Sequence, residues 1–133
     1  IFAALIQLAR ELPKDSFDFY GGFRSRSYAL EDLKPSSLVI ASEDGSEGHT
    51  GRIPDFFPAH NYRMVFACGP EPMLKAIQQI CLASKTPCII SMERRMACGV
   101  GACLGCTVAT IHGNKRCCVE GPIFDAQEIL FDE

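Results

Sequence analysis

The sequence predicts an α/β fold in which a parallel sheet is followed by a small β-rich domain. Short apolar runs alternate with helical patterns as far as residue 91, and this alternation is typical of a doubly wound parallel sheet. After Ser91 no long helical period remains, and glycine, cysteine and short strand-like segments take over. We therefore predict one domain over residues 1–91 and a second over residues 92–133.

The chain opens on the pattern of an amphipathic helix. Ile1, Leu5, Leu8 and Leu12 fall on one helical face, and Pro13 ends the pattern. Because the sequence starts inside this pattern and without Met, we expect an N-terminal truncation.

Four strands and a second helix are predicted downstream. The strands are expected at Phe17–Phe19 with a loop at Gly21-Gly22, at Leu38–Ala41, at Met64–Cys68 and at Cys88–Ser91. We expect the second and third of them to be buried on both faces. Pro70 and Pro72 predict the start of the helix, because a missing N–H costs nothing in the first turn. Its inner face is predicted to contain Met73, Leu74, Ile77, Ile80 and Cys81.

The composition excludes several classes of protein. A chain of 133 residues with 47% hydrophobic residues and a formal net charge of −3 is neither a basic nucleic-acid binder nor a disordered acidic tail. No uninterrupted apolar run reaches the roughly 18 residues that a membrane span needs, and no basic segment precedes the first apolar stretch. We expect a cytoplasmic protein that binds neither nucleic acid nor a membrane.

The eight cysteines are unevenly distributed along the chain. In a reducing compartment a dense group of cysteines is more often metal-binding or catalytic than disulfide-bonded. Three lie apart in apolar surroundings, namely Cys68, Cys81 and Cys88, and five crowd into the last part of the chain, namely Cys98, Cys103, Cys106, Cys117 and Cys118. The second group therefore indicates a metal site.

The spacing within this group is specific. Cys98, Cys103 and Cys106 form a C-x4-C-x2-C run with Cys118 further along, which is the spacing of plant-type 2Fe-2S proteins. The intervening glycines, Gly99, Gly101 and Gly105, permit positive φ and a close backbone approach, so the loop can wrap an anionic cluster and direct N–H groups at its sulfurs.

Two questions stay open at this point. Four cysteines can also hold zinc without any redox role, although zinc ribbons usually contain a second C-x2-C pair. The fourth ligand is the other question. We predict a hairpin of Val108–Ile111 and Arg116–Val119, in which Cys117 and Cys118 would point to opposite faces, and spacing alone does not choose between them.

The chain resembles a known family at these residues. The stretch from Met92 to Cys106, together with Cys118 to Asp125, resembles the electron-transfer subunit of the NAD-dependent class 1B dihydroorotate dehydrogenase. The segments Gly22–Ser25, Asp44–Ser46 and Cys68–Met73 are similar to the pyridine-nucleotide half of ferredoxin reductase-like flavoproteins. The resemblance implies an incomplete ferredoxin reductase-type nucleotide-binding domain followed by a 2Fe-2S domain, and it favours Cys118 as the fourth ligand.

The resemblance also implies a function. Electrons would pass between NAD, FAD and the FMN of a dihydroorotate dehydrogenase catalytic subunit through the 2Fe-2S cluster, in pyrimidine biosynthesis, within a heterotetramer. The implied nucleotide contacts are Gly22, Arg24, Ser25, Asp44, Cys68, Gly69 and Pro70. Arg24 and Ser25 would lie at the carboxyl end of one parallel strand, and Cys68–Pro70 at the carboxyl end of another. Open α/β sheets bind ligands at these ends of their strands. No residue is assigned a catalytic role.

The sequence also departs from the family pattern. The FAD-binding barrel and the first strand and glycine-rich turn of the nucleotide domain are missing, so we expect this chain to be inactive by itself and to expose a sheet edge. The alternative is the flavin and iron–sulfur subunit of a ferredoxin:NADP or sulfide-type reductase. In that relative the first ligand position is not cysteine, so Cys98 favours the dihydroorotate system.

Overall fold

The computed structural model describes residues 3–131 and divides the chain into two compact units, one ending at Phe57 and the other beginning at Pro58. The predicted mixed α/β class is confirmed, because each unit contains parallel strand pairs together with a helix. The predicted boundary between residues 91 and 92 lies inside the second unit, and as a domain division it stays a prediction. No helix within residues 3–131 is long and apolar enough to cross a membrane.

The first unit is a helix followed by a parallel sheet of three strands in the order β1-β2-β3. Its elements are α1 (Ala3–Glu11), β1 (Asp18–Phe23), β2 (Ser37–Ser42) and β3 (His49–Thr50). Helix α1 packs Ile6 and Ala9 against Phe19 of β1. The predicted helix ends before Pro13 as expected, and its proposed first residue, Ile1, lies outside the described residues.

The predicted loop at Gly21-Gly22 was wrong, because both glycines belong to strand β1. Gly21 and Gly22 lie inside the strand and pair with Ile40 and Ala41 of β2. A Cβ on Gly21 would lie 2.8 Å from the ring of Phe23, so this glycine leaves room for an aromatic side chain. A glycine inside a strand often marks such a close approach and not a turn.

The second unit holds one α-helix and five strands among its described residues, with the order β4-β5-β8 in the larger sheet and β6-β7 as a hairpin. Its elements are β4 (Val65–Cys68), α2 (Glu71–Ala83), β5 (Cys88–Ser91), β6 (Thr107–Thr110), β7 (Gly113–Arg116) and β8 (Ile123–Asp125). Pro70 is the N-cap residue of α2, and Leu74, Ile77 and Cys81 are buried on its inner face. Strand β5 has the predicted bounds.

Strand β8 was not predicted, and it completes the larger sheet. It runs antiparallel to β5, with Phe124 opposite Ile90. Both side chains are buried. Strands on both sides of the cysteine-containing segment, residues 98–118, therefore belong to the same sheet, which fixes both ends of that segment to one scaffold.

The expectation that two strands are buried on both faces was wrong. Leu38 of β2 and Phe66 of β4 are each 45% exposed, while their neighbours Ala41 and Ala67 are buried. Apolar runs of four or five residues do not reveal whether the second face of a strand is covered, because that depends on distant segments.

Candidate metal centre

The loop over residues 98–106 joins the end of the sheet to strand β6. Gly99 and Gly101 have φ angles of 69° and 81°, so the predicted use of glycine for positive φ is confirmed at these two positions. At the third predicted position, Gly105, the φ angle is not positive. The preceding residue, Leu104, takes the left-handed conformation instead, with φ 60°. A left-handed leucine costs roughly 1–2 kcal/mol, so the loop shape is imposed by its surroundings.

Backbone N–H groups of this loop point at cysteine sulfurs. The N–H groups of Cys103 and Val100 donate to Sγ of Cys98 over 3.4 and 3.5 Å, and the N–H of Gly105 donates to Sγ of Cys103 over 3.4 Å. These donors stabilise a thiolate, and the hydrogen bonds from Cys103 and Val100 lower the pKa of Cys98 to about 6. The loop is thus arranged to hold anionic sulfur.

The four predicted ligands meet in two pairs. Cys103 lies against Cys98, to whose Sγ its N–H donates, and Cys118 lies against Cys106. The N–H of Cys118 also donates to Sγ of Cys106 over 3.5 Å and lowers its pKa. Within residues 3–131, no three histidine, cysteine, aspartate or glutamate side chains gather as a single metal ion would require.

The two adjacent cysteines have different surroundings. Cys117 is completely buried, and burial raises its pKa. Cys118 is half-buried beside Cys106. The choice of Cys118 as a cluster ligand stays a prediction, as does the full ligand set.

The hairpin is confirmed, but the predicted bounds of its second strand were wrong. Strand β7 ends at Arg116, and the carbonyl of Arg116 accepts hydrogen bonds from the N–H groups of Val119, Glu120 and Gly121. Cys117 and Cys118 therefore lie in a turn after the strand. The conformation of this turn separates their side chains, and not the alternation of side chains along a strand.

Four of the predicted nucleotide contacts lie in the first unit. Gly22 lies within β1, Arg24 and Ser25 follow the end of β1, and Asp44 follows the end of β2. The N–H of Asp44 donates to the carbonyl of Arg24 over 3.2 Å, so the two loops meet at the carboxyl edge of the parallel pair. Hydrogen bonds from Ser46 lower the pKa of Asp44.

Sequence reasoning missed one link at this edge. Glu47 accepts hydrogen bonds from the N–H and Oγ of Ser27, over 2.6 and 2.8 Å, and these bonds lower its pKa. The two residues are 20 positions apart, so no local pattern could have indicated the contact. These hydrogen bonds join the loop that contains Arg24 and Ser25 to the loop that contains Asp44.

The other three predicted contacts lie in the second unit, between β4 and α2. Cys68 ends the strand, and its thiol donates to Oε1 of Glu93 over 3.6 Å. Burial, with the nearby Glu93 carboxylate, raises the pKa of Cys68 to about 11, so this side chain stays a neutral thiol. Gly69 has φ 156°, and a Cβ there would lie 2.7 Å from Cε of Met73. Pro70 is exposed at the helix start.

Comparison with known proteins shows a family that the cysteine-containing part of the chain resembles. Residues 93–130 match the model of the iron-sulfur cluster binding domain of dihydroorotate dehydrogenase B. The predicted resemblance is confirmed. The chain is 40% identical to the dihydroorotate dehydrogenase B (NAD(+)) electron transfer subunit of Clostridium perfringens over 97% of its own length and 55% of the relative's. The corresponding subunit of Clostridium acetobutylicum is 39% identical, over 98% and 54%.

The chain thus spans about half the length of these curated relatives. A solved structure described as an NADH-dependent reduced ferredoxin-NADP oxidoreductase is similar in fold, with a TM-score of 0.66 and 19% identity. The similarity covers 88% of this chain and 55% of the other. At this identity the likeness concerns the fold alone.

The lowered pKa of Cys98 leads to a testable pH dependence. In the metal-free chain, the rate at which iodoacetamide alkylates Cys98 should rise through a pH of about 6, because the thiolate is the nucleophile. Peptide mass spectrometry across a pH series measures this rate. In guanidinium chloride the midpoint should return towards the ordinary thiol value of 9.0, and a folded chain that already titrates there would contradict the prediction.

Proposed function

We propose that this chain binds a 2Fe-2S cluster through Cys98, Cys103, Cys106 and Cys118, in a small domain over residues 92–133. The observation that carries the proposal is the pairing of Cys98 with Cys103 and of Cys106 with Cys118 by backbone N–H to Sγ hydrogen bonds, within the segment that matches the iron–sulfur family model. Each iron of a 2Fe-2S centre takes two protein ligands, so two pairs fit this cluster better than a single tetrahedral zinc, which needs four donors around one point.

The surroundings of the thiols fit an anionic cluster. Four backbone N–H groups donate to Cys98, Cys103 and Cys106, and such hydrogen bonds help to set a cluster's potential. Cys98 and Cys103 are exposed, whereas Cys106 is buried, so one side of the site faces solvent. A bound 2Fe-2S cluster accepts and releases single electrons, and the exposed side provides a short route to a redox partner.

For the whole protein we propose the function of its relatives. It would transfer electrons between NAD and FAD and the FMN of a dihydroorotate dehydrogenase catalytic subunit, in pyrimidine biosynthesis and within a heterotetramer. The names of relatives at 39–40% identity support this function. Because the chain spans about half of those relatives, the activity is proposed for the whole protein, and we expect this chain to be inactive by itself.

The proposed nucleotide contacts are the loops at the ends of β1 and β2 in the first unit and, separately, the loop at the end of β4 in the second. Arg24 and Ser25 carry donors for a phosphate or the adenosine ribose, and Asp44 is a carboxylate acceptor for ribose hydroxyls. Gly69 lets a nicotinamide approach the backbone beside the neutral thiol of Cys68. The eight cysteines, all among the described residues, form no disulfide bonds, which fits the reducing cytoplasm that we propose for the protein.

Anaerobic purification tests the cluster directly. The chain should contain about two irons and two sulfides, absorb visible light, and give an S = 1/2 EPR signal after dithionite, because this cysteine spacing binds 2Fe-2S centres. Cys81→Ala, which removes a buried cysteine of α2, should not change the iron or sulfide content. Stoichiometric zinc without visible absorption would contradict the proposal and favour a zinc-binding module.

A further inference from the structure

Arg116 connects the two segments that carry the cysteines. Its Nη1 donates to the carbonyl oxygen of Gly101 in the cysteine loop over 3.0 Å. Its Nε donates to both carboxylate oxygens of Glu120, over 3.1 and 3.2 Å, in the turn that carries Cys118. The backbone N–H of Arg116 donates to the same carboxylate over 2.6 Å. One side chain thus ties the loop to the turn.

Gly101 is shaped for this contact. It is buried with a φ angle of 81°, and an added Cβ would lie 2.8 Å from Nη1 of Arg116 and 2.8 Å from Cγ2 of Val119. Any side chain at position 101 would therefore displace the guanidinium as well as strain the backbone.

The hydrogen bond to Gly101 also places the guanidinium against the loop between Cys98 and Cys103. About a third of the Arg116 side chain is exposed, so solvent screens its charge only in part. Arginine suits this position because its planar fork serves Gly101 and Glu120 at once, which the single ammonium of lysine does not.

We propose that Arg116 is a positioning residue that locks the cysteine loop to the Cys118 turn and places a fixed positive charge beside the cluster. The inference rests on the proposed 2Fe-2S site. The bridge to Gly101 holds the Cys98–Cys103 pair in register with the Cys106–Cys118 pair. The positive charge stabilises the reduced cluster, which carries one more negative charge than the oxidised form.

Three variants of the purified protein test this inference. In Arg116→Gln, iron release to a chelator should accelerate about 10-fold or more, as expected when groups that orient metal ligands are lost. The midpoint potential, from EPR-monitored titration, should shift to a lower value. Arg116→Lys should also release iron faster but keep a potential near the parent's, because it retains the charge. Lys115→Gln removes an equal charge from the adjacent residue, which reaches Glu128, and should change neither property.

The outcomes separate this inference from the proposed function. A parent protein without iron, sulfide and visible absorption would overturn the cluster itself. A parent with a normal cluster, and Arg116→Gln matching Lys115→Gln in iron release and potential, would overturn the role of Arg116 alone. If Arg116→Gln assembles no cluster, restored assembly in Arg116→Lys supports the inference, and equal failure in Lys115→Gln contradicts it. An equal fall in potential in the Lys and Gln variants would contradict the electrostatic part.

Discussion

Cys118→Ser is expected to abolish the visible absorption and the EPR signal of the cluster. Cys118 is half-buried, and its N–H donates to Sγ of Cys106 over 3.5 Å, so its sulfur is expected to complete the second ligand pair. A hydroxyl is a much poorer iron ligand than a thiolate, so iron and sulfide content should fall far below that of the parent. Absorption spectra and iron analysis of anaerobically purified protein measure the loss.

The adjacent cysteine provides a matched control. Cys117 is completely buried, and its N–H donates to the carbonyl of Cys106 over 3.1 Å, which the backbone of any residue but proline could do. Cys117→Ala should therefore keep the cluster spectrum and cost only the packing of one sulfur. Loss of the cluster in the Cys117 variant with retention in Cys118→Ser would show that the turn after β7 is registered one residue differently.

In the whole protein, Cys103→Ser should uncouple the two half-reactions of the proposed enzyme. Cys103 is exposed and its N–H donates to Sγ of Cys98, so its loss would remove one of the two proposed ligands of an iron on the solvent side. With the catalytic subunit present, dihydroorotate-dependent NAD reduction should fall by more than about 100-fold. Losing a metal ligand should reduce activity more than losing a residue that hydrogen-bonds to a ligand, which typically costs about 10–100-fold. Reduction of FAD by NADH should stay measurable.

Two comparisons make this result interpretable. Cys81→Ala removes a cysteine outside the metal-binding segment and should couple the reactions at the parent rate. Stopped-flow absorbance follows FAD reduction separately from the overall NAD assay, so damage to the flavin site is distinguishable from loss of the cluster. A Cys103→Ser protein that still coupled the reactions at the parent rate would show that electrons do not pass through the cluster.

The features that sequence reasoning predicted well depend on neighbouring residues. Helix α2 begins at a proline-rich first turn and buries residues at helical spacing, and β5 is a short apolar run after a proline. Both signals are local, so they can be found without the fold. The C-x4-C-x2-C run, on which the confirmed family resemblance partly rests, is equally local, because it lies within residues 98–106.

The features that it missed depend on segments far apart in the chain. Gly21 and Gly22 resemble a turn until Phe23 and strand β2 are in place, and β8 is too short to be recognised before it pairs with β5. Such pairings gain their stability from contacts that no sequence window contains.

The sequence by itself determined the spacing of the cysteines and the helix and strand that precede them. Only the tertiary structure decided which of Cys117 and Cys118 donates its N–H to the sulfur of Cys106, because the turn after β7 buries Cys117 completely and leaves Cys118 half-buried at the loop. It alone also placed Arg116 between Gly101 and Glu120. The reason is that 15 positions separate Arg116 from Gly101, and only the folded hairpin brings a guanidinium within hydrogen-bonding distance of that carbonyl.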